Sequence, residues 1–157
     1  MRYRAYIPLR RYAAMALVVS GLFAQPVLAE VVVVAGPQSQ VSQLSREQVV
    51  NIFMGGYRKL PDGTFARPID LDAEAATRRS FYRHLLDKSL EEINAYWARL
   101  VFSGRTTPPE VAKDIGELLD RLSRDPRAIG YVDRQQLARA EFAKSGRDIK
   151  VLFALQE

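Results

Sequence analysis

Apolar residues along this chain alternate between two periods. Glu30 to Ala35 reads EVVVVA, a β-branched run without polar alternation, which predicts a strand covered on both faces. Gly36-Pro37 ends it. From Ser45 the period changes: Val49, Ile52 and Phe53 share a helical face, Gln48 completes a capping box with Ser45, and Gly55-Gly56 stops the helix. Pro61-Asp62-Gly63 is a turn, because proline fixes one dihedral and glycine accepts a positive one. Arg67 to Leu71 predicts a second strand. Residues 73–86 then predict a helix with Phe81, Tyr82, Leu85 and Leu86 on one side and Arg79, Arg83 and His84 around the other.

Ser89 and Glu92 form a second capping box, opening a helix whose apolar stripe is Leu90, Ile93, Trp97, Leu100 and Val101. Trp97 is therefore assigned to the core. Residues 103–109 read as a loop, and Val111, Ile115, Leu118, Leu119 and Leu122 predict one further helix, weakened by Gly116 and broken at Asp125-Pro126. Ala128 to Val132 is a short strand, Arg134 to Lys144 a helix, Ser145-Gly146 a turn, and Ile149 to Leu155 a last strand. Strands alternating with helices predict one α/β domain, with a mixed, mostly parallel sheet flanked by helices. No internal repeat or linker divides it.

The first 29 residues stand apart. Arg2, Arg4, Arg10 and Arg11 precede an apolar run from Ala13 to Phe23, and Val27-Leu28-Ala29 supplies a site for signal peptidase, so residues 1–29 are expected to be a cleaved secretory signal peptide. The run is shorter than the roughly 20 residues a spanning helix needs. Export places the domain in the periplasm, by the general or the twin-arginine route. The whole chain carries 23 Lys plus Arg against 18 Asp plus Glu. Removing the leader's four arginines leaves a net charge of +1, so nucleic acid is not implied as a partner. Cysteine is absent, which excludes disulfides and thiolate metal sites, and the domain must hold together by its core.

Candidate chemistry centres on Arg67 to Leu86. A strand leading into a helix N-terminus aims backbone N–H groups and a positive dipole at whatever lies beyond the sheet, which suits an anion. Thr77, Ser80, His84 and Asp87 fall near one helical face. One exposed helix face supplies neither converging elements nor an oxyanion hole, so no catalytic residue is assigned. His84 is the single histidine, so no metal site is assigned either. Arg67, Arg78, Arg79 and Arg83 form the local basic cluster. They read as a solvated face partnered by Asp70, Asp72, Glu74 and Asp87, or as a contact for an anion or acidic partner. Tyr57, Tyr82, Tyr96 and Phe102 are expected in the core or at its rim.

Three blocks together resemble the phosphate-binding proteins of ABC importers, within the type 2 periplasmic-binding-protein fold. They are Val41 to Gly63 (VSQLSREQVVNIFMGGYRKLPDG), the strand and helix from Arg67 to Phe81, and Asp125 to Asp133 (DPRAIGYVD). The resemblance implies a short, single-lobe member, since such proteins close two lobes on the anion and residues 30–157 suffice for one. It also implies an anion site at the helix N-terminus formed by Ala75, Ala76, Thr77 and Arg78. Of the family's phosphate turn only Thr77 and Arg78 match: Leu71 stands at the arginine, Ala73 at the aspartate, Glu74 and Ala76 at the glycines, and Ala75 at the serine. Losing those donors, with Asp72 and Glu74 close by, relaxes the pocket.

The resemblance leaves two functions open, neither enzymatic and neither needing a cofactor. One is binding of phosphate or a similar small oxyanion for an inner-membrane ABC permease, with a second copy in a homo-oligomer supplying the absent lobe. The other is a non-transport interaction or sensory module that engages another protein of the cell envelope and has lost the phosphate pocket.

Overall fold

The computed structural model describes residues 30–72, 75–143 and 148–155; the signal-peptide expectation, the Ser145-Gly146 turn and Ala73-Glu74 lie outside them. The chain runs β1 (Val31–Ala35), α1 (Arg46–Phe53), β2 (Arg67–Leu71), α2 (Ala76–Leu86), α3 (Leu90–Phe102), β3 (Glu110–Ala112), α4 (Ile115–Arg124), β4 (Ala128–Asp133), α5 (Arg134–Ala143) and β5 (Lys150–Ala154). The five strands form one sheet in the order β3-β2-β4-β1-β5. β2 is parallel to β3 and β4, whereas β1 is antiparallel to both β4 and β5. Four strands therefore point one way and β1 opposes them, a mixed and mostly parallel sheet.

The β-branched run behaves as its pattern requires. All five residues of β1 are at most 1% exposed, because β1 lies inside the sheet with layers on both faces. On β4, Tyr131 stacks on Phe81 of α2 with ring centroids 3.8 Å apart, while a Cβ at the preceding Gly130 would stand 2.5 Å from Leu118 Cδ1 of α4. Successive strand residues face opposite ways, so α2 and α4 cover opposite faces. Phe53 meets Phe81 and Tyr131 edge-on, at 4.9 and 5.6 Å, and joins α1 to the same core.

Both capping boxes form. Ser45 and Ser89 accept from the backbone of Gln48 and Glu92, whose side chains accept in return from the two cap amides. Trp97 is in the core at 6% exposure, beneath Gly55, whose φ of 73° and the 2.7 Å left to Trp97 Cη2 both exclude a side chain. In the turn, Thr64 N–H donates to Asp62 Oδ1 at 2.9 Å and Gly63 has a φ of 88°.

Two expectations are corrected. Val111 is not helical: it lies on edge strand β3, half exposed, with Glu110 opposite Ile69, and the helix starts at Ile115 behind the N-cap Asp114. The i, i+4 spacing of Val111 and Ile115 mimics a helical stripe across the turn that separates them. Phe102 and Tyr57 belong neither to the core nor to its rim, at 97% and 65% exposure, whereas Tyr82 is fully buried.

Candidate functional site

The C-terminal end of β2 reaches α2 through Asp72 and Ala75, as the strand–turn–helix pattern implies. Ala75 is the N-cap residue, with extended backbone and no side-chain cap, and its N–H donates to the Asp72 carbonyl at 3.0 Å. Ala76 is exposed. Thr77 is buried, and its hydroxyl donates to Gln136 Oε1 at 3.3 Å, tying α2 to the start of α5. There Asp133 Oδ1 accepts from the N–H groups of Gln135 and Gln136 and caps α5.

Arg78 turns inward. Its Nε donates to Asp70 Oδ2 at 3.0 Å, its Nη2 to Asn94 Oδ1 at 3.3 Å, and its guanidinium carbon lies 5.5 Å from the centroid of the Tyr82 ring. Burial alone would lower its pKa, but the Asp70 carboxylate outweighs burial and raises it. Asp70 is 3% exposed and gathers further donors: the Tyr82 hydroxyl at 2.9 Å, the Tyr131 hydroxyl in a short contact, and the Leu71 N–H at 2.9 Å. Burial and the neighbouring Asp70 charge hold both phenols well above the ordinary tyrosine pKa. Arg78 Nη1 is buried without a hydrogen-bond partner among the described residues. A carboxylate from the protein's own sheet thus takes the Nε donor and the Asn94 amide oxygen takes Nη2, two of the donors that a bound oxyanion would need.

The expected basic cluster does not assemble as one solvated face. Arg67, at the opposite end of β2, donates to Glu110 at 2.6 Å and to Asp125 at 2.8 Å. Arg83 pairs with Asp87 at 3.5 Å on the surface, Arg79 is exposed, and the Asp70–Arg78 pair is buried. The set Thr77, Ser80, His84 and Asp87 does not act together. Thr77 is spent on Gln136 and Asp87 on Arg83, while His84 Nδ1 is buried without a partner among the described residues. Among the described residues no group of three or more acidic or histidine side chains is placed to hold a metal ion, and no helix is long and apolar enough to cross a membrane.

Sequence reasoning placed Asp70 on the surface and gave Tyr131 no role. The available signal was an aspartate inside the otherwise apolar strand segment Pro68 to Leu71, since a carboxylate at such a position needs a buried partner.

This mixed five-stranded sheet with its flanking helices has the fold of one periplasmic-binding-protein-like lobe. Solved structures that share it include an ABC-type phosphate transport receptor from Vibrio cholerae, at 15% identity and a TM-score of 0.55, and PstS from Borrelia burgdorferi, at 19% and 0.56. Each alignment covers 79% of this chain, but 46% of the first receptor and 48% of the second. The chain thus spans about half the length of these receptors, and at such identities the likeness is one of fold. No protein-family model matches the chain, and no curated protein does.

Proposed function

We propose that residues 30–157 are an exported, periplasmic lobe of binding-protein type that works by contact with another protein of the cell envelope and has given up anion capture. The reading is supported above all by the Asp70–Arg78 pair: Arg78, the cationic residue of the expected anion site, is engaged at 3.0 Å by a carboxylate that is 5% exposed. Bringing phosphate to that fork would set a second anion beside a buried first one, and like charges in a low dielectric repel strongly. Residues 1–29 serve in this reading as the cleaved export signal.

A ligand that binds the folded state raises its stability, by about 2.7 kcal/mol at a hundred times its dissociation constant. Thermal unfolding of the exported protein is therefore expected at the same temperature with and without millimolar phosphate, sulfate or molybdate. A rise with any of them would refute the reading. It would favour the second one, in which Ala75, Ala76, Thr77 and Arg78 hold a small oxyanion for an ABC permease. That alternative draws on the fold likeness to phosphate receptors and on Arg78 Nη1, which has no partner among the described residues.

A further inference from the structure

Helix α3 presents an apolar face that the body of the domain does not cover. A groove of about 730 Å³ runs beside it, lined by Met54, Leu86, Ile93, Ala95, Tyr96 and Arg99 among others. At its far end Phe102 is 97% exposed, with Val101 at 53% beside it. Glu92, Ala95, Arg99 and Phe102 follow one another at spacings of three and four residues, so they make a single stripe along the helix. Phe102 lies three residues beyond Arg99, the last residue of the helix to line the groove, so the exposed ring and the groove share one helix.

The charges on that stripe select the occupant. Arg99 has no ion-pair partner among the described residues, and Glu92 lies two turns earlier, half exposed, paired with the surface residue Lys88, capping the helix and within the field of Arg83. Positions 92 and 99 are symmetric about the midpoint of Ala95 and Tyr96. If a second α3 is laid antiparallel across that midpoint, Glu92 of each copy meets Arg99 of the other, and the small side chain of Ala95 lets the helices approach. The same symmetry brings Phe102 over Ser89 of the second copy, at the Leu86–Lys88 end of its groove. A self-complementary patch of this kind is what a two-fold interface requires.

We propose that the α3 face is a homodimer interface, in which two copies pair antiparallel with reciprocal Glu92–Arg99 contacts and each Phe102 enters the other's groove. The proposal goes beyond the protein-contact reading, adding a second copy of this chain beside the envelope partner. A 13-residue helix is about 20 Å long, and one such contact buries less than the roughly 800 Å² per partner of a standard stable interface. The dimer is therefore reversible and concentration-dependent.

Sedimentation equilibrium of the exported protein across the micromolar range tests this. Wild type is expected to self-associate, while Arg99→Glu and Glu92→Arg each weaken the dimer at least tenfold by placing like charges face to face. An equimolar mixture of the two variants is expected to recover association, since both contacts are then complementary. Phe102→Asp weakens it without touching a charge pair or a cap. Circular dichroism checks that each variant is folded, because Glu92 also caps α3. A wild type that stays monomeric, or a dimer indifferent to all three changes, overturns the proposal. Either outcome leaves the anion question where it stood, and phosphate binding by a dimer would defeat the protein-contact reading alone.

Discussion

Arg78 Nε and Asp70 Oδ2 stand 3.0 Å apart with side chains only 9% and 5% exposed, so the two charges are removed from water together. Breaking such a pair from one side strands a buried charge, which costs about 3–5 kcal/mol. Arg78→Ala is expected to lose that much in urea unfolding, because the donors left to Asp70 among the described residues are neutral: two phenols and the Leu71 amide. A loss below about 1 kcal/mol, the range of exposed ion pairs, would mean that the pair is solvated.

The same pair shows what the sequence could and could not convey. Ser45 with Gln48 and Ser89 with Glu92 were legible because a capping box is local: the partners lie three residues apart and the helix between them fixes the geometry. The β1 core was legible because five successive β-branched or small apolar residues fit little else. Asp70 and Tyr131 were not, since they lie 61 positions apart and meet only when β2 and β4 pair. Val111 misled for the converse reason, a local spacing that matched a helix while edge pairing to β2 decided the outcome. At the candidate site the position of Ala75 to Arg78 at a helix start was readable, but the inward turn of Arg78 was not.

Tyr82 and Tyr131 give the fold an alkaline limit. Both phenols hold their protons more tightly folded than unfolded, through burial first and the Asp70 charge next. Their contribution is whole below the ordinary tyrosine pKa of about 10 and is lost as pH rises through the higher folded values. Stability should fall steeply above that pH. Tyrosinate absorbance should report ionisation of these two phenols together with unfolding. Tyr131→Phe should flatten the fall, although it also removes a donor from Asp70. Gradual titration of every tyrosine without unfolding would contradict this.

Gly36 and Gly130 should differ in what they tolerate. A Cβ at Gly36 would lie 1.8 Å from the Leu122 carbonyl oxygen, which is backbone and cannot step aside, whereas at Gly130 the obstacle is the tip of the Leu118 side chain at 2.5 Å. Overpacking costs about 1–3 kcal/mol where a side chain can give way. Gly130→Ala is expected in that range and Gly36→Ala above it, as measured by chemical denaturation. Equal costs at the two sites would refute the difference.

Ser89→Ala and Ser45→Ala each remove a cap oxygen that serves a backbone N–H near the helix start, at 3.3 and 3.2 Å. Each should cost about 1 kcal/mol, the usual value of an N-cap serine. No comparable loss is expected for Ala75→Gly, since Ala75 caps α2 without a side-chain bond. Thermal unfolding of the three variants side by side checks the contrast.

The central claim is that Asp70 has taken the place of an external anion at Arg78. Isothermal titration calorimetry of phosphate into the exported wild-type protein tests it most directly. No binding heat is expected at millimolar phosphate. Saturable, stoichiometric heat that is abolished by Arg78→Lys would contradict it, because Arg78 would then be free to hold the ligand.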